Sequence, residues 1–463
     1  MKKQAAAPKS ERKNASPEKI RGYSSVLSKM ISCKTVFAEN GENSAEFKKF
    51  YSVIEESFPN IIKKAKKLVF GSGCFFYIIE GKNAVENILL MSHHDVVDGC
   101  EGWETEPFSP SEKEGYLFGR GTIDTKTPLF AELMALEELL SEGYDFPGIN
   151  LYIGSSNNEE CSGDGMVLAA EYFKKNNINF SVVLDEGGAI TEGMIPGVKC
   201  KSAVVAVHEK SRHLFRCKTV SKKQSGHGSF SKAKSTPAER ISLFISEVLK
   251  NSEKIYKADF SPEVRATFER HVPYMSFPMN FLFGNVSVFS PLIKKIMSKI
   301  PAASAMLKTS VSFTEIRTVS ESDSAAKTKE AEATMYLRCI REDDLYRGLE
   351  KIKKIAEKYG IEIEETLRDY CKPTDFRKKA FSETEKLIRE NFPDVAVAPF
   401  LLTAGTDARR LTDVADNILR FAPIDLSKSQ FASIHGANEC ISLENVGECV
   451  VFYKDFIKKI RIN

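Results

Sequence analysis

Between about residue 67 and residue 187 the chain alternates short apolar runs with longer segments that carry apolar residues at helical spacing. The strand-like runs are CFFYII, NILLMS, INLYIGSS and FSVVLD, and the helix-like segments are TPLFAELMALEELLSEG and GMVLAAEYFKKN. This order predicts an α/β fold in which a mostly parallel sheet is flanked by helices. In open sheets of this kind, functional residues gather at the carboxyl ends of the strands.

The sequence changes in character after about residue 205, where a polar stretch, a helical segment and a run rich in Phe, Met and Pro follow one another. Because 463 residues exceed what one core usually spans, we expect two domains. We predict a disordered tail over residues 1–20 and a catalytic domain formed by residues 21–208 and 369–463. Residues 209–368 would form an inserted α+β lid or dimerisation domain.

Composition and charge exclude several classes of protein. A hydrophobic fraction of 42%, a charged fraction of 28% and a net charge of +3 are typical of a globular protein. The basic residues are scattered, so we expect no nucleic-acid partner. No apolar run reaches membrane-spanning length, and the charged amino terminus lacks a signal-peptide core, so we expect neither a membrane partner nor export. The ten cysteines are dispersed, which favours a cytoplasmic protein.

Two polar clusters follow the first strand-like runs. In MSHHDVVDG, His93 and Asp95 are separated by one residue, so the carboxylate can orient the imidazole toward a metal. A pair of this kind is also common as an ordinary surface or core histidine. In FGRGTIDTK, Asp124 lies in a glycine-rich turn before a helix, where it would be either a metal ligand or a helix N-cap.

Three more clusters complete the pattern. SSNNEECSGDG contains the adjacent carboxylates Glu159 and Glu160, which repel each other unless a cation lies nearby, although a solvated acidic loop is the simpler reading. VVLDEGG ends an apolar strand with Asp185 and Glu186, and SIHGANE contains His435. Together these clusters supply the nitrogen and oxygen ligands that zinc accepts.

The motifs MSHHDVVDG, GRGTIDTK, NNEECSGDG, VLDEGG, SGHGS, AGTDAR and IHGANE, in this order, resemble those of a family of co-catalytic zinc metallopeptidases. That family includes aminoacylase, carboxypeptidase S, glutamate carboxypeptidase and the succinyl-diaminopimelate desuccinylases. The resemblance covers nearly the whole chain after the tail. LDEGG and IHGANE are most similar to the carboxypeptidase S and N-acyl amino acid hydrolase branch.

The resemblance implies a ligand set for two zinc ions, with cobalt or manganese as alternatives. His93 would bind one ion and His435 the other, Asp124 would bridge them, and Glu160 would complete one side. The remaining ligand would be Asp185 or Glu186, and the sequence leaves that choice open. The resemblance also implies a cis peptide bond after Asp124.

The same resemblance implies a hydrolase that cleaves the amide bond of a small peptide or an N-acyl amino acid next to a free carboxylate. Asp95 would orient His93, and Glu159 would be the general base that receives the proton of the attacking water. His227 and Arg409 would bind substrate, the latter through its planar guanidinium. Without the family context, these last two residues read as a loop histidine and a surface ion-pair member.

Two departures from the family pattern concern the insert. SESDSAAKTKEAEATMYL lacks the Asn-Val-Ile-Pro element that many members use to bind substrate. The segment YMSFPMNFLFGNVSVF would either line an apolar acyl pocket or form core or a dimer interface. We expect a monomer, or a homodimer through the inserted domain.

Two alternatives compete with the hydrolase interpretation. The chain would be a catalytically silent, metal-bearing binding protein if it had kept the scaffold and lost its substrate contacts. It would be a cysteine hydrolase if Cys161 were the nucleophile, but a thiol beside two carboxylates has a raised pKa and reacts reluctantly.

Overall fold

The structure is a computed structural model that describes residues 11–221, 236–321 and 324–462. The helices in these ranges are α1 (Pro17–Ile31), α2 (Ser44–Ser57), α3 (Pro59–Lys64), α4 (Lys126–Ser141), α5 (Gly165–Lys175), α6 (Pro237–Ile255), α7 (Pro262–His271), α8 (Met279–Gly284), α9 (Val286–Met297), α10 (Pro301–Ala305), α11 (Glu342–Tyr359), α12 (Lys379–Asn391), α13 (Lys428–Ser433) and α14 (Leu443–Lys459). Among these described helices, none combines the length and apolar character needed to cross a bilayer.

The strands in the same ranges are β1 (Lys66–Phe70), β2 (Cys74–Ile79), β3 (Glu86–His93), β4 (Ser111–Lys113), β5 (Tyr116–Phe118), β6 (Ile149–Ser156), β7 (Val182–Asp185), β8 (Ile190–Thr191), β9 (Ser202–Glu209), β10 (Ser211–Val220), β11 (Ser310–Glu321), β12 (Ser324–Cys339), β13 (Glu362–Asp369), β14 (Ala396–Leu402), β15 (Ile418–Arg420), β16 (Asp425–Leu426) and β17 (Cys440–Ser442). Short 3-10 turns cover Val272–Tyr274 and Asp407–Leu411.

The main sheet of the described residues has ten strands. Nine run in the order β1-β2-β6-β3-β7-β15-β9-β8-β16, and β14 pairs with β9. The central neighbours β6, β3, β7 and β15 are parallel, as are β9 and β14. Strands β1 and β2 extend the sheet in antiparallel fashion. The predicted α/β fold with a mostly parallel sheet flanked by helices is confirmed.

Strand β3 shows why the strands of this sheet read as continuous apolar runs. Ile88 and Leu90 pack into the large core that also contains residues of α1, α4, α12 and α14. Leu89 and Met91 point the other way, into the core that contains α5. Because both faces are covered by helices, both sets of side chains must be apolar.

The parallel register brings the polar ends of three strands to one edge of the sheet. His93 at the end of β3 lies opposite Ser156 at the end of β6. On the other side of β3, Leu90 pairs with Leu184, so β7 ends at Asp185 close to the same edge. The segments that follow these strands therefore start from neighbouring points.

A second sheet lies in the part of the chain that we predicted to be an insert. Its four antiparallel strands have the order β11-β12-β10-β13. Helices α6 and α11 pack against it, with Phe244 and Leu349 in the same core as Phe215 and Met335 of the strands. This core is separate from those of the main sheet, which is the arrangement expected of an α+β insert.

The middle of the predicted insert packs against the main sheet instead. Thr267 of α7 donates a hydrogen bond of 2.6 Å to the carbonyl oxygen of Pro399 in β14. Phe268 shares a core with Leu401 of the same strand. The limits 209–368 remain a prediction, and within them α7 to α10 belong by packing to the side of the main sheet.

The predicted disordered tail over residues 1–20 is wrong for its second half. Helix α1 already begins within it, and Arg12 lies 2.7 Å from Asp394 and 2.7 Å from Asp425. These partners are 382 and 413 residues away in the sequence. The local sequence around Arg12 is charged and polar and does not reveal this attachment, because the carboxylates that pair with Arg12 become its neighbours only on folding.

Substitution of Arg12 by alanine tests this attachment of the amino-terminal segment. We expect Arg12→Ala to lower the free energy of unfolding by about 1–2 kcal/mol, since it removes charge-assisted hydrogen bonds at a partly buried position. The control Arg377→Ala removes a local, exposed pair with Asp375, and we expect it to change the free energy by less than about 0.5 kcal/mol. Urea unfolding measures the free energy of unfolding of both variants. Equal effects of the two substitutions would contradict the attachment of the amino-terminal segment through Arg12.

Candidate metal centre

The carboxylate of Asp124 lies between the imidazoles of His93 and His435. His93 Nε2 is 3.0 Å from Asp124 Oδ1, and His435 Nε2 is 3.1 Å from Asp124 Oδ2. Glu160 Oε1 is 3.2 Å from His435 Nε2. Ligand atoms of His93, Asp124 and Glu160 lie within 4.8 Å of one another. Four predicted metal ligands from distant parts of the sequence therefore converge.

Each of these side chains comes from a loop at one edge of the main sheet. His93 ends β3, and Glu160 lies in the turn after β6. Asp124 lies in the turn before α4, and His435 follows α13 with a positive φ of 60°. The peptide bond between Asp124 and Thr125 is cis, as the resemblance implied.

Glu439 joins the loop of Asp124 to the loop of His435. Its buried carboxylate accepts hydrogen bonds from the backbone N–H groups of Ile123, at 2.6 Å, and of Asp124, at 3.1 Å. It also pairs with Arg120 at 2.7 Å. The sequence analysis included the IHGANE motif but assigned no role to Glu439. An acidic residue close in sequence to a predicted ligand is a signal that its side chain can support the ligand's loop by hydrogen bonds.

Asp95 holds both the first histidine and the turn that carries two glutamates. His93 Nδ1 is 2.9 Å from the carbonyl oxygen of Asp95 and 3.4 Å from its carboxylate. The two carboxylate oxygens accept the backbone N–H groups of Glu159, at 3.1 Å, and Glu160, at 3.0 Å. A proton held on Nδ1 by these contacts leaves Nε2 free to face a metal.

The two predicted alternatives after β7 have different environments. Asp185 Oδ1 accepts the N–H of Glu186 at 2.9 Å, and its Oδ2 accepts the N–H of Ala408 at 3.1 Å. The carboxylate of Glu186 accepts no hydrogen bond from a described residue, and it lines the same cavity as His93 and Asp124. Asp185 is thus occupied by the backbone, whereas Glu186 faces the cluster.

Charge is concentrated in this cluster to an unusual degree. Burial raises the pKa of the Glu186 carboxyl well above its usual value, and the nearby carboxylates of Asp185 and Asp124 raise it further. The hydrogen bond to Asp124 and the nearby carboxylate of Glu160 raise the pKa of His435 to about 10. Buried acids that repel one another in this way are stabilised by added positive charge.

The donor set fits a divalent cation. Glu160 Oε1 is buried and accepts no hydrogen bond of proper geometry from the described residues. Two imidazole nitrogens with several carboxylate oxygens are ligands that zinc, cobalt and manganese accept.

Glu159 lies next to the cluster but is not one of its four converging ligands. Burial raises the pKa of its carboxyl well above the usual value, His93 opposes the shift, and the neighbouring carboxylates of Asp407 and Asp95 add to it. A carboxyl group whose pKa is raised holds a proton more readily, which suits a group that must accept a proton and later return it.

These residues line a cavity of about 450 Å³, a size that suits a small-molecule substrate. Glu159, Glu160 and Glu186 line it together with the two histidines. The lining also includes the apolar side chains of Leu402, Ile424, Leu426, Phe431 and Ile434.

Comparison with known proteins identifies the family. The pattern of peptidase family M20/M25/M40 matches residues 89–459, well over half of the chain. The chain belongs to this peptidase family. It is therefore an enzyme, a metallopeptidase or amidohydrolase that acts on C–N bonds.

Two relatives place the chain within the M20 family. It is 28% identical over 428 residues to the N-fatty-acyl-amino acid synthase/hydrolase PM20D1.1 of Danio rerio, covering 90% of this chain and 81% of the relative. It is also 28% identical over 448 residues to the probable carboxypeptidase S-like 2 of Dictyostelium discoideum, with coverages of 93% and 84%. The suspected carboxypeptidase S and N-acyl amino acid hydrolase branch is confirmed.

Two solved structures share the fold. The M20 family metallo-carboxypeptidase of Sulfolobus solfataricus has a TM-score of 0.66 and 16% identity, covering 96% of this chain and 99% of that one. A dinuclear metal-binding peptidase of the M20 family from Bacillus subtilis has a TM-score of 0.57 and 11% identity, with coverages of 94% and 98%.

Within this M20 chain, three arginines line the cavity, namely Arg212, Arg338 and Arg409, and the last two differ in their partners. Arg409 is largely buried, with Nε 2.9 Å from Asp369 and Nη1 2.9 Å from the carbonyl oxygen of Thr406. Arg338 of β12 is held by the hydroxyl of Tyr336, at 2.6 Å, and the carbonyl oxygen of Thr403, at 2.7 Å. In the described residues no carboxylate lies within ion-pair distance of Arg338. Sequence reasoning missed it, although an arginine in the strand ATMYLRCI was a visible signal.

Two residues from the sequence analysis remain. His227 lies outside the described residues. Cys161 is exposed, and partial desolvation of its thiol together with the carboxylates of Asp95 and Glu160 raises its pKa. The poor nucleophile expected from the sequence agrees with this environment.

Metal content tests the bridging position of Asp124. We expect the parent protein to retain about two zinc ions per chain after dialysis against zinc and then metal-free buffer. Asp124→Ala should lose both ions, because both sites would share this carboxylate, and His435→Ala should lose one. The control Asp98→Ala removes an exposed carboxylate near the same edge and should retain two. Full zinc content in Asp124→Ala would contradict the bridge.

Proposed function

We propose that this M20 enzyme uses a pair of zinc ions to hydrolyse the amide bond of an N-acyl amino acid or a small peptide next to a free carboxylate. The observation that carries the proposal is the Asp124 carboxylate between His93 and His435, with Glu159 beside them at the wall of the cavity. The names of the relatives are consistent with either substrate class.

The side chains around the cluster divide into two ligand sets that share Asp124. His93 and Glu186 would hold one cation, and His435 and Glu160 the other. Glu186 is preferred to Asp185 because both oxygens of Asp185 already accept backbone N–H groups. Two divalent cations bound there would polarise the amide carbonyl and lower the pKa of water. Cobalt or manganese would serve the same purpose.

Glu159 would act as the general base and then the general acid. Asp95 fixes the backbone N–H of Glu159 at 3.1 Å, which sets the position of this side chain relative to His93. The carboxylate would take the proton of the attacking water and deliver it to the leaving nitrogen. Burial, which raises its pKa, favours the proton-carrying form that the second step needs.

Arg338 would bind the substrate carboxylate. Its guanidinium is oriented by the neutral oxygens of Tyr336 and Thr403, so its charge is not neutralised by a carboxylate of the described residues. Arg409 was the residue we predicted for this task, but it pairs with Asp369 and lies 3.7 Å from Glu209. We propose that Arg409 instead shapes the wall of the cavity.

The apolar lining residues would receive the acyl group or an apolar side chain. Leu402, Ile424 and Leu426 line the cavity, and burying each methylene of a ligand there contributes roughly 0.8 kcal/mol. We therefore expect substrates with longer acyl groups to bind more tightly. A panel of acyl amino acids of increasing chain length and of dipeptides, assayed with added zinc, tests this. Inactivity on the whole panel with full zinc content would favour the silent binding protein.

Replacement of Glu159 tests its role in proton transfer. We expect Glu159→Gln to lower kcat by about 10²- to 10⁴-fold, since the amide cannot accept the proton. Zinc content should stay at the parent level, because this residue lies outside the two ligand sets. Unchanged turnover in a fully loaded variant would remove Glu159 from the mechanism.

Replacement of Arg338 tests carboxylate recognition. We expect Arg338→Met to raise KM by about 10- to 100-fold, the loss of a charge-assisted hydrogen bond. An amidated substrate, which lacks the carboxylate, should show no such difference between parent and variant. The control Arg317→Met removes an exposed arginine of the neighbouring strand β11 and should behave as the parent. Equal sensitivity to both substitutions would contradict the assignment.

A further inference from the structure

Helices α8 and α9 present a row of apolar side chains to solvent. Large apolar side chains of this region are between 47% and 79% exposed, namely those of Phe277, Phe281, Val288, Leu292, Ile296 and Ile300. We call these six residues, with the neighbouring Lys295 and Lys299, the α8–α9 face. They include part of the segment YMSFPMNFLFGNVSVF, none of which lines the cavity.

Helix α9 has two apolar sides, only one of which is used for packing. Val286, Ile293 and Met297 are buried in the core that joins α7 to β14. Val288, Leu292 and Ile296 recur at every fourth residue, so they share the opposite side of the helix. Folding of this chain therefore does not account for the second apolar side.

The charge of the surrounding segment has one sign. Residues 270–314 contain no aspartate or glutamate. Lys294 and Lys308 are paired with acids elsewhere in the chain. Lys295 and Lys299 are exposed and form no ion pair within the described ranges. The unpaired lysines of this segment therefore lie in α9 and in the turn after it, next in sequence to the exposed Ile296 and Ile300.

We propose that the α8–α9 face binds to the surface of an anionic lipid bilayer. An exposed apolar row with lysines beside it is the pattern of a helix that lies in the membrane interface. Anionic headgroups attract each lysine near the surface, and the aliphatic lysine stems reach past the apolar row to them. A neutral protein partner would match the apolar row but not the uniform charge. The helix would lie on the bilayer and not cross it, so the proposal replaces the sequence-based expectation of no membrane partner, which considered only membrane-spanning segments.

The face is connected to the wall of the cavity. Lys210 lines the cavity, and its ammonium group donates hydrogen bonds to the carbonyl oxygens of Ala305, at 3.0 Å, and Lys308, at 2.9 Å. Ala305 is the last residue of α10, which follows the face in the sequence, and Lys308 lies just after it. If the proposed function holds, docking would place a cavity with apolar lining residues near lipid that contains acyl amino acids. The docking itself does not depend on that function.

Vesicle co-sedimentation of the full chain tests the proposal. We expect the parent protein to sediment with vesicles that contain about one-third phosphatidylserine and not with pure phosphatidylcholine, and to dissociate as salt is raised. Lys295→Gln with Lys299→Gln should weaken binding about 30-fold, at about fivefold for each lysine. Leu292→Glu with Ile296→Glu should weaken it at least about tenfold.

Matched controls separate docking from misfolding and from loss of catalysis. Val69→Glu with Val85→Glu changes two exposed valines of the main-sheet region and should leave vesicle binding unchanged. Hydrolysis of a water-soluble short-chain substrate should remain at the parent level in all variants, since none touches the cavity. Failure of the parent protein to sediment with anionic vesicles would overturn the proposal. So would a Leu292→Glu, Ile296→Glu variant whose only effect is to convert a dimer to a monomer, which would make the face an interface between copies.

Discussion

The architecture of this enzyme depends on the position of one carboxylate between two imidazoles. Asp124 is separated from His435 by 311 residues, yet the two side chains lie 3.1 Å apart. The main sheet brings His93 to the meeting point, and Glu439 binds the backbone of the Asp124 turn while it lies close to His435 in sequence. Loss of any of these connections would separate the halves of the site.

The same cluster stores electrostatic repulsion. Glu186 is buried close to the carboxylates of Asp185, Asp124 and Glu159, and Glu159 is itself buried. Burial makes such a group of carboxylates unfavourable unless protons or cations neutralise it. The fold tolerates the arrangement because Asp95 and Asp185 turn their charge toward backbone N–H groups. Divalent cations bound among these acids would relieve the repulsion.

The sequence allowed the sheet, its covering helices and most of the cluster to be predicted. Strand β3 could be recognised because both of its faces are buried, which leaves a continuous apolar run that ends at His93. Arg12 could not be placed, because its partners Asp394 and Asp425 are distant in sequence. The choice between Asp185 and Glu186 needed the hydrogen bonds of each carboxylate. Arg338 and Arg409 are distinguished by the groups that surround each guanidinium, and the sequence pattern does not show those groups.

Anomalous scattering at the zinc edge from crystals of the zinc-loaded protein tests the central claim most directly. The account predicts two peaks about 3.5–4 Å apart, on either side of the Asp124 carboxylate, one next to His93 Nε2 and the other next to His435 Nε2. A single peak, or peaks that do not contact Asp124, would contradict it.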